Sequence, residues 1–206
     1  MKGIFITMEG PDGSGKTTQI DLLGRYLESR GYEIIVTREP GGNKISEAIR
    51  EIILNKEYTE MGYMTEALLY ASARAQLVSE VIAPALEAGK AVISDRFIDS
   101  SAVYQGIARG LGVENIYRIN EYATQGITPD ITILLDLPAK VGIGRKKEQK
   151  ELDRMEMEKL DFHEKVADGY RQLASLAPDR IHVVDATFPI EEVHAQIIGE
   201  LKDILI

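Results

Sequence analysis

Residues 10–17 read Gly10-Pro11-Asp12-Gly13-Ser14-Gly15-Lys16-Thr17, with the spacing G-x-x-x-x-G-K-T. Each part has a chemical use. The glycines let the backbone curl until successive N–H groups point inward at phosphate oxygens. A helix starting at Lys16 offers its N-terminus to the same anion. Lys16 reaches the β- and γ-phosphates of a nucleotide, and the Thr17 hydroxyl suits magnesium. Thr18, next in the chain, joins the nucleotide-binding set.

Two further clusters hold cations beside acids. Thr37-Arg38-Glu39-Pro40-Gly41-Gly42 sets an arginine ahead of a tight loop, where it can grip a second phosphate. The ordinary alternative is a surface arginine before a turn. Asp95-Arg96 pairs an acid able to reach magnesium with an arginine able to bridge two phosphates, against the alternative of a structural ion pair. Asp99-Ser100-Ser101-Ala102-Val103-Tyr104-Gln105-Gly106 then supplies an aromatic and an amide of the kind a base and sugar pocket uses. Glu66, Tyr70 and Arg74 follow each other at i, i+4, i+8, along one helix face. Ala67, Ala71, Ala75 and Val78 lie on another face and suit core or subunit packing.

These residues need elements to hold them. Ile4–Met8 is apolar without alternation, as in a strand buried on both faces. Further strands are expected at 34–37, 91–94, 131–135 and 181–184. Helices are expected at 16–30, 44–54, 64–88 (bent at Pro84), 100–108, 113–125, 139–148, 156–176 and 190–204. This alternation predicts an α/β fold, a parallel sheet with helices on both faces. Ligands of such sheets bind beyond the carboxyl ends of the strands, where each motif falls.

Composition sets the outer bounds. A chain of 206 residues suits one α/β domain, and 44% hydrophobic with 28% charged residues is ordinary for a globular protein. Net charge −9 argues against nucleic acid or an anionic membrane as a partner. The absence of cysteine excludes disulfides, zinc thiolates and thiol nucleophiles. His163, His182 and His194 lack metal-ligand spacing. No signal peptide and no apolar run of membrane-spanning length stand out, so the cytoplasm is the expected compartment.

The phosphate loop together with TREPGG, DRF, SSAVYQG and ELDRME resembles the thymidylate kinase family over nearly the whole chain, with the motifs in family order. The resemblance implies a P-loop NTPase three-layer sandwich with a five-stranded sheet, a lid at about 140–156, a homodimer, and ATP with Mg2+ acting on dTMP. It implies that residues 10–18 hold ATP and that Asp12 meets the acceptor's 3′-hydroxyl. Arg38 and Arg96 would hold the 5′-phosphate, with Glu39 near the acceptor and Asp95 at the metal. Tyr104 would lie beneath the deoxyribose and disfavour a 2′-hydroxyl. Tyr70 would stack on thymine, where the family often has phenylalanine, and Arg74 would donate to a thymine oxygen. Leu54, Ser101 and Gln105 would complete that pocket.

Residues 145–154, Arg-Lys-Lys-Glu-Gln-Lys-Glu-Leu-Asp-Arg, carry the lid's cations. One family branch keeps a catalytic arginine in the phosphate loop; the other has glycine there and uses a lid arginine. Gly13 matches the second branch, while Gln149 stands where some members have arginine. Arg145, Lys147 and Arg154 are the candidates for the transition-state cation, beside Lys16 and Arg96. Two alternatives stay open: a deoxynucleoside kinase of similar fold, and a nucleotide switch without transfer chemistry. A guanine-reading loop is not among them, because Asn55-Lys56-Glu57-Tyr58 lacks the required Asp.

Overall fold

The computed structural model describes residues 3–147, 153–202 and 204–205, without the side chains of Lys146 and Lys147. Five parallel strands form one sheet: β1 (Ile4–Glu9), β2 (Ile34–Arg38), β3 (Ala91–Asp95), β4 (Ile131–Asp136) and β5 (Ile181–Asp185). Their order across the sheet is β2-β3-β1-β4-β5. Register places the chemistry at one edge. Met8 is opposite Asp95, and Asp95 is opposite Arg38, so the phosphate loop and both arginine clusters leave the sheet side by side.

Both faces of the sheet are apolar because alternate residues of each central strand are. Ile6, Met8, Ile93, Ile133 and Leu135 pack under helix α1 (Lys16–Ser29) and helix α9 (Ile190–Glu200). Phe5 and Val92 face the opposite layer, built from α3 (Tyr63–Leu77) and α4 (Ala83–Glu87). Leu134 on that side meets α8 (Leu160–Leu176). Between these lie α2 (Lys44–Leu54), α5 (Ile98–Ser101), α6 (Val113–Thr124) and α7 (Ala139–Lys147).

Four helices differ from expectation. The 64–88 helix carries a π turn at Val78–Ile82 between α3 and α4. Pro84 then falls in the first turn of α4, directly after that π turn. A second π segment, Ala102–Ala108, continues α5 and carries Tyr104 and Gln105. The helix expected from 156 begins at Leu160. Ahead of it Asp153 Oδ1 accepts from the N–H of Met155 and Glu156 at 3.0 Å, and Glu156 Oε2 accepts from Asp153 N at 3.1 Å. That reciprocal pair closes a separate turn. The last helix ends at Glu200, short of 204.

Candidate active site

The phosphate loop joins β1 to α1. Gly10 has φ 140°, and a Cβ there would meet the Leu135 carbonyl oxygen at 2.5 Å, so the position needs glycine. Lys16 Nζ donates to the carbonyls of Gly10 and Pro11, each at 3.0 Å. Burial, then the nearby Arg96 charge, lowers the Lys16 ammonium to about 8. A bound polyphosphate would reverse that shift. The loop opens onto a cavity of about 520 Å³, lined by Asp12 through Gln19. Gly10 and Pro11 are not among its lining residues; their carbonyls hold Lys16 from behind.

Across the loop stands Arg96, the residue after β3, at φ 71°. A non-glycine residue in this region is held there by its surroundings, and the contacts are plain. Its Nη1 donates to Gly10 O (3.1 Å), Ser100 Oγ (3.0 Å) and Tyr170 Oη (2.9 Å). Its Nη2 donates to Asp12 Oδ1 (2.7 Å) and Tyr104 Oη (3.2 Å), and the guanidinium lies 5.1 Å from the Tyr104 ring centre. Tyr104 in turn donates to Asp12 Oδ2 at 3.2 Å. Asp12, Arg96 and Tyr104 are thus one rigid unit at the middle of the cavity.

Glu9 supports that unit from beneath, and sequence reasoning passed it over. Its fully buried carboxyl accepts from Ser100 Oγ (2.6 Å), Tyr170 Oη (2.9 Å) and Phe97 N (2.8 Å). Burial, then the charge of Asp99, pushes it up to about 7. An acid closing an otherwise apolar strand was the available signal.

Arg38 and Glu39 line the cavity from β2, as does Arg50 from α2. Arg50 sits on an ordinary helix with no motif to announce it; its Nη1 donates to Pro40 O at 2.8 Å. Arg38 is half exposed and paired with Glu47 at 2.6 Å. Arg74 is 1% exposed, so it is no surface charge. Its Nε donates to Glu39 Oε2 at 2.8 Å, its Nη2 to Glu39 and to Ser101 Oγ (3.1 Å), and its Nη1 to Asn120. Of the five N–H groups of a guanidinium, one on Nη1 is left without a partner among the described residues. Tyr70, Leu54, Ser101, Tyr104 and Gln105 line this end. Ala67, Ala71 and Val78 are buried in the core.

The lid candidates separate. Arg145 lines the cavity, and its Nη1 donates to Gly13 O at 3.2 Å. Arg154 points elsewhere: Nη2 donates to buried Glu66 at 2.6 Å and Nε to Ile53 O at 2.7 Å, away from the lining. The side chain of Lys147, like those of Lys146, Gln149 and Lys150, lies outside the described residues. Beneath Arg145, α7 touches the loop directly. A Cβ on Gly13 would meet Gly142 O at 2.3 Å, and one on Gly142 would meet Asp12 O at 2.1 Å.

Near the start of α1, Asp95 Oδ1 is buried with no hydrogen-bond partner among the described residues, and Thr17 lines the same cavity. No cluster of three metal-ligating side chains occurs among the described residues. One free carboxylate oxygen plus one hydroxyl nonetheless fits magnesium, which binds through few protein groups and the substrate's phosphates. An apolar wall of Phe188, Ile190 and Val193 completes the cavity beside α1. Its signal was the aromatic in Thr187-Phe188-Pro189-Ile190, just past β5.

A family model described as thymidylate kinase matches residues 8–197. A thymidylate kinase of Geobacillus thermodenitrificans (strain NG80-2) is 50% identical over 201 residues, covering 97% of this chain and 89% of that one. One from Clostridium novyi (strain NT) is 48% identical over 203 residues, covering 98% and 99%. The crystal structure of thymidylate kinase from Ehrlichia chaffeensis superposes with TM-score 0.79 at 33% identity, covering 98% of this chain and 100% of that one.

Proposed function

The chain belongs to the thymidylate kinase family and phosphorylates dTMP to dTDP with ATP as co-substrate; from that premise we propose which residues carry the reaction. The observation that bears most weight is one cavity with a phosphate loop on one wall, Arg96 and Arg38 opposite, and Tyr70, Arg74 and Gln105 at its other end.

ATP lies along residues 12–18, its phosphates against Lys16 and the loop amides, its purine on the Phe188–Ile190 wall. The dTMP phosphate sits between Arg96 and Arg38. Tyr104 lies under the deoxyribose, Asp12 takes the 3′-hydroxyl, and Tyr70 stacks on thymine. The free N–H of Arg74 meets a thymine carbonyl, while Glu39 holds the guanidinium in place. The attacking phosphate oxygen is already anionic, so transfer needs alignment and neutralisation of charge rather than a strong base. Thr17 and Asp95 would hold magnesium, which supplies charge neutralisation at the phosphate oxygens when bound. Segment 140–156, within a single kinase domain, serves as a lid that excludes water. Arg145 is its leading transition-state cation; the other described candidate, Arg154, is committed to Glu66.

A second copy of the chain completes the assembly. Ile45 and Ile52 on α2, and Met64 and Leu68 on α3, form two adjoining apolar stripes about half exposed. No helix among the described residues is long and apolar enough to cross a membrane, in keeping with a cytoplasmic enzyme.

The test is an acceptor screen by coupled ADP release. Values of kcat/KM should rank dTMP first, then dUMP, with UMP and dCMP lower by ~10-fold or more. ATP turnover indifferent to dTMP would favour a nucleotide switch. Phosphorylation of thymidine in preference to dTMP would favour a deoxynucleoside kinase.

A further inference from the structure

Glu66 is wholly buried beside the base end of the cavity, yet does not line it. It accepts from Arg154 Nη2 at 2.6 Å, Arg109 Nε at 3.2 Å and Gln105 Nε2 at 2.9 Å. Arg109 is itself fixed by Glu158 at 2.6 Å and by the Phe162 ring 4.6 Å away. A carboxylate clamped between two guanidiniums offers only acceptors. The Gln105 amide therefore has one permitted orientation, NH2 toward Glu66. That leaves Oε1 as the arm offered to the cavity. It takes no donor from the described residues and is not among the sealed, unpartnered polar atoms.

We propose that Glu66 is a specificity-determining positioning residue: by fixing the Gln105 amide it presents Oε1 to the base, which admits a pyrimidine carrying N–H at ring position 3. Thymine and uracil carry that proton. Cytosine has a lone pair there and would set acceptor against acceptor in a buried site. Arg109 and Arg154 act on the base at one further remove, since they keep Glu66 an acceptor. Arg154 lies near the end of the lid segment, so base reading and seating of residues 153–158 share one hub.

The inference rests on placing the base at Tyr70 and Gln105. A glutamine at 66 can donate as well as accept, so Glu66→Gln frees the Gln105 amide to turn over. The expected result is a ~10-fold or larger fall in the dTMP:dCMP ratio of kcat/KM, with KM for ATP unchanged. A merely structural role would lower both acceptors alike and leave the ratio intact; that outcome overturns the proposal. Gln105→Met tests the base placement separately, because it keeps the arginine pairs of Glu66. If it erases the discrimination while Glu66→Gln does not, the base is at Gln105 and only the role of Glu66 fails. If it changes neither dTMP affinity nor the ratio, the base lies elsewhere and both fail. Should Glu66→Gln not fold, the wild-type protein supplies the measurement. The Gln105 carboxamide protons, assigned by their loss in Gln105→Met, should be protected from solvent exchange with and without dTMP. Exchange at free-glutamine rates overturns the proposal.

Discussion

At the scale of single residues the site works by holding charges still. Arg96 receives its place from an unfavourable backbone angle and five side-chain or carbonyl partners, and Glu9 holds two of those partners. This support has a measurable cost. The Glu9 carboxyl is pushed from an ordinary 4.5 to about 7, by burial first and then by Asp99. A carboxyl raised on folding stabilises in its protonated form. Its contribution is complete below pH 4.5 and is lost as pH rises through 7. Glutamine at position 9 keeps an oxygen for Phe97 N and turns an NH2 toward the Ser100 and Tyr170 hydroxyls, which can accept. Glu9→Gln should therefore change unfolding free energy, relative to wild type, by on the order of 3 kcal/mol between pH 4.5 and pH 8. Urea denaturation at several pH values measures this. A difference that stays flat across the range would refute the assignment.

At the scale of elements the decisive contact is between the phosphate loop and α7. Gly13 and Gly142 meet backbone to backbone, and no Cβ fits at either position. The contact seats Arg145 one turn further along, against Gly13 O. An arginine at position 13 and a helix docked this closely exclude each other sterically, so a chain with Gly13 must draw its transition-state cation from elsewhere. Gly142→Ala should push α7 off the loop and lower kcat by ~10-fold to 10²-fold, since small misplacements of a charge in the transition state cost that much. Affinity for dTMP should fall less than kcat, because of the groups proposed for the acceptor only the Asp12 backbone meets α7. Gly144→Ala is the control: nothing lies within 4 Å of its added Cβ, so kcat should hold. Steady-state kinetics with calorimetry of dTMP binding distinguishes the two. Equal kcat for both variants would show that the loop contact does not govern Arg145.

At the scale of the whole molecule the proposal is a second copy. Ile45 and Ile52 are seven residues apart on α2, and Met64 and Leu68 four apart on α3, so each pair shares a face. Both faces are apolar and about half exposed, on helices that pack together. The same α3 carries Tyr70 and Arg74 on its inner side. Pairing there would stiffen the base pocket. Sedimentation equilibrium should give a dimer of the 22.9 kDa chain. Ile45→Asp with Leu68→Asp should weaken it by ~10-fold or more, as expected for central apolar contacts. A wild-type monomer at micromolar concentration would remove the proposal.

How much of this was legible beforehand follows from how far each interaction reaches along the chain. The strand–helix alternation, the phosphate loop and the carboxyl-edge positions of Arg38, Asp95 and Arg96 rest on local periodicity and turn chemistry. The sequence by itself determined them, to within a few residues at element ends. Near-full-length motif order determined the family. Contacts between distant segments were not legible. Glu9 with Tyr170 spans 161 positions, and Arg154 with Glu66 spans 88. Nothing local marks either pair. So the sequence left Arg145 and Arg154 equal as lid cations, and folding parted them, because a guanidinium bound to a buried carboxylate is not free to serve a phosphate. Likewise the family motif pointed Arg74 at the base, but its partners Glu39, Ser101 and Asn120 were set only by tertiary packing. Burial and partner geometry arise only when the layers assemble, and they decide which of many charged residues become parts of the site.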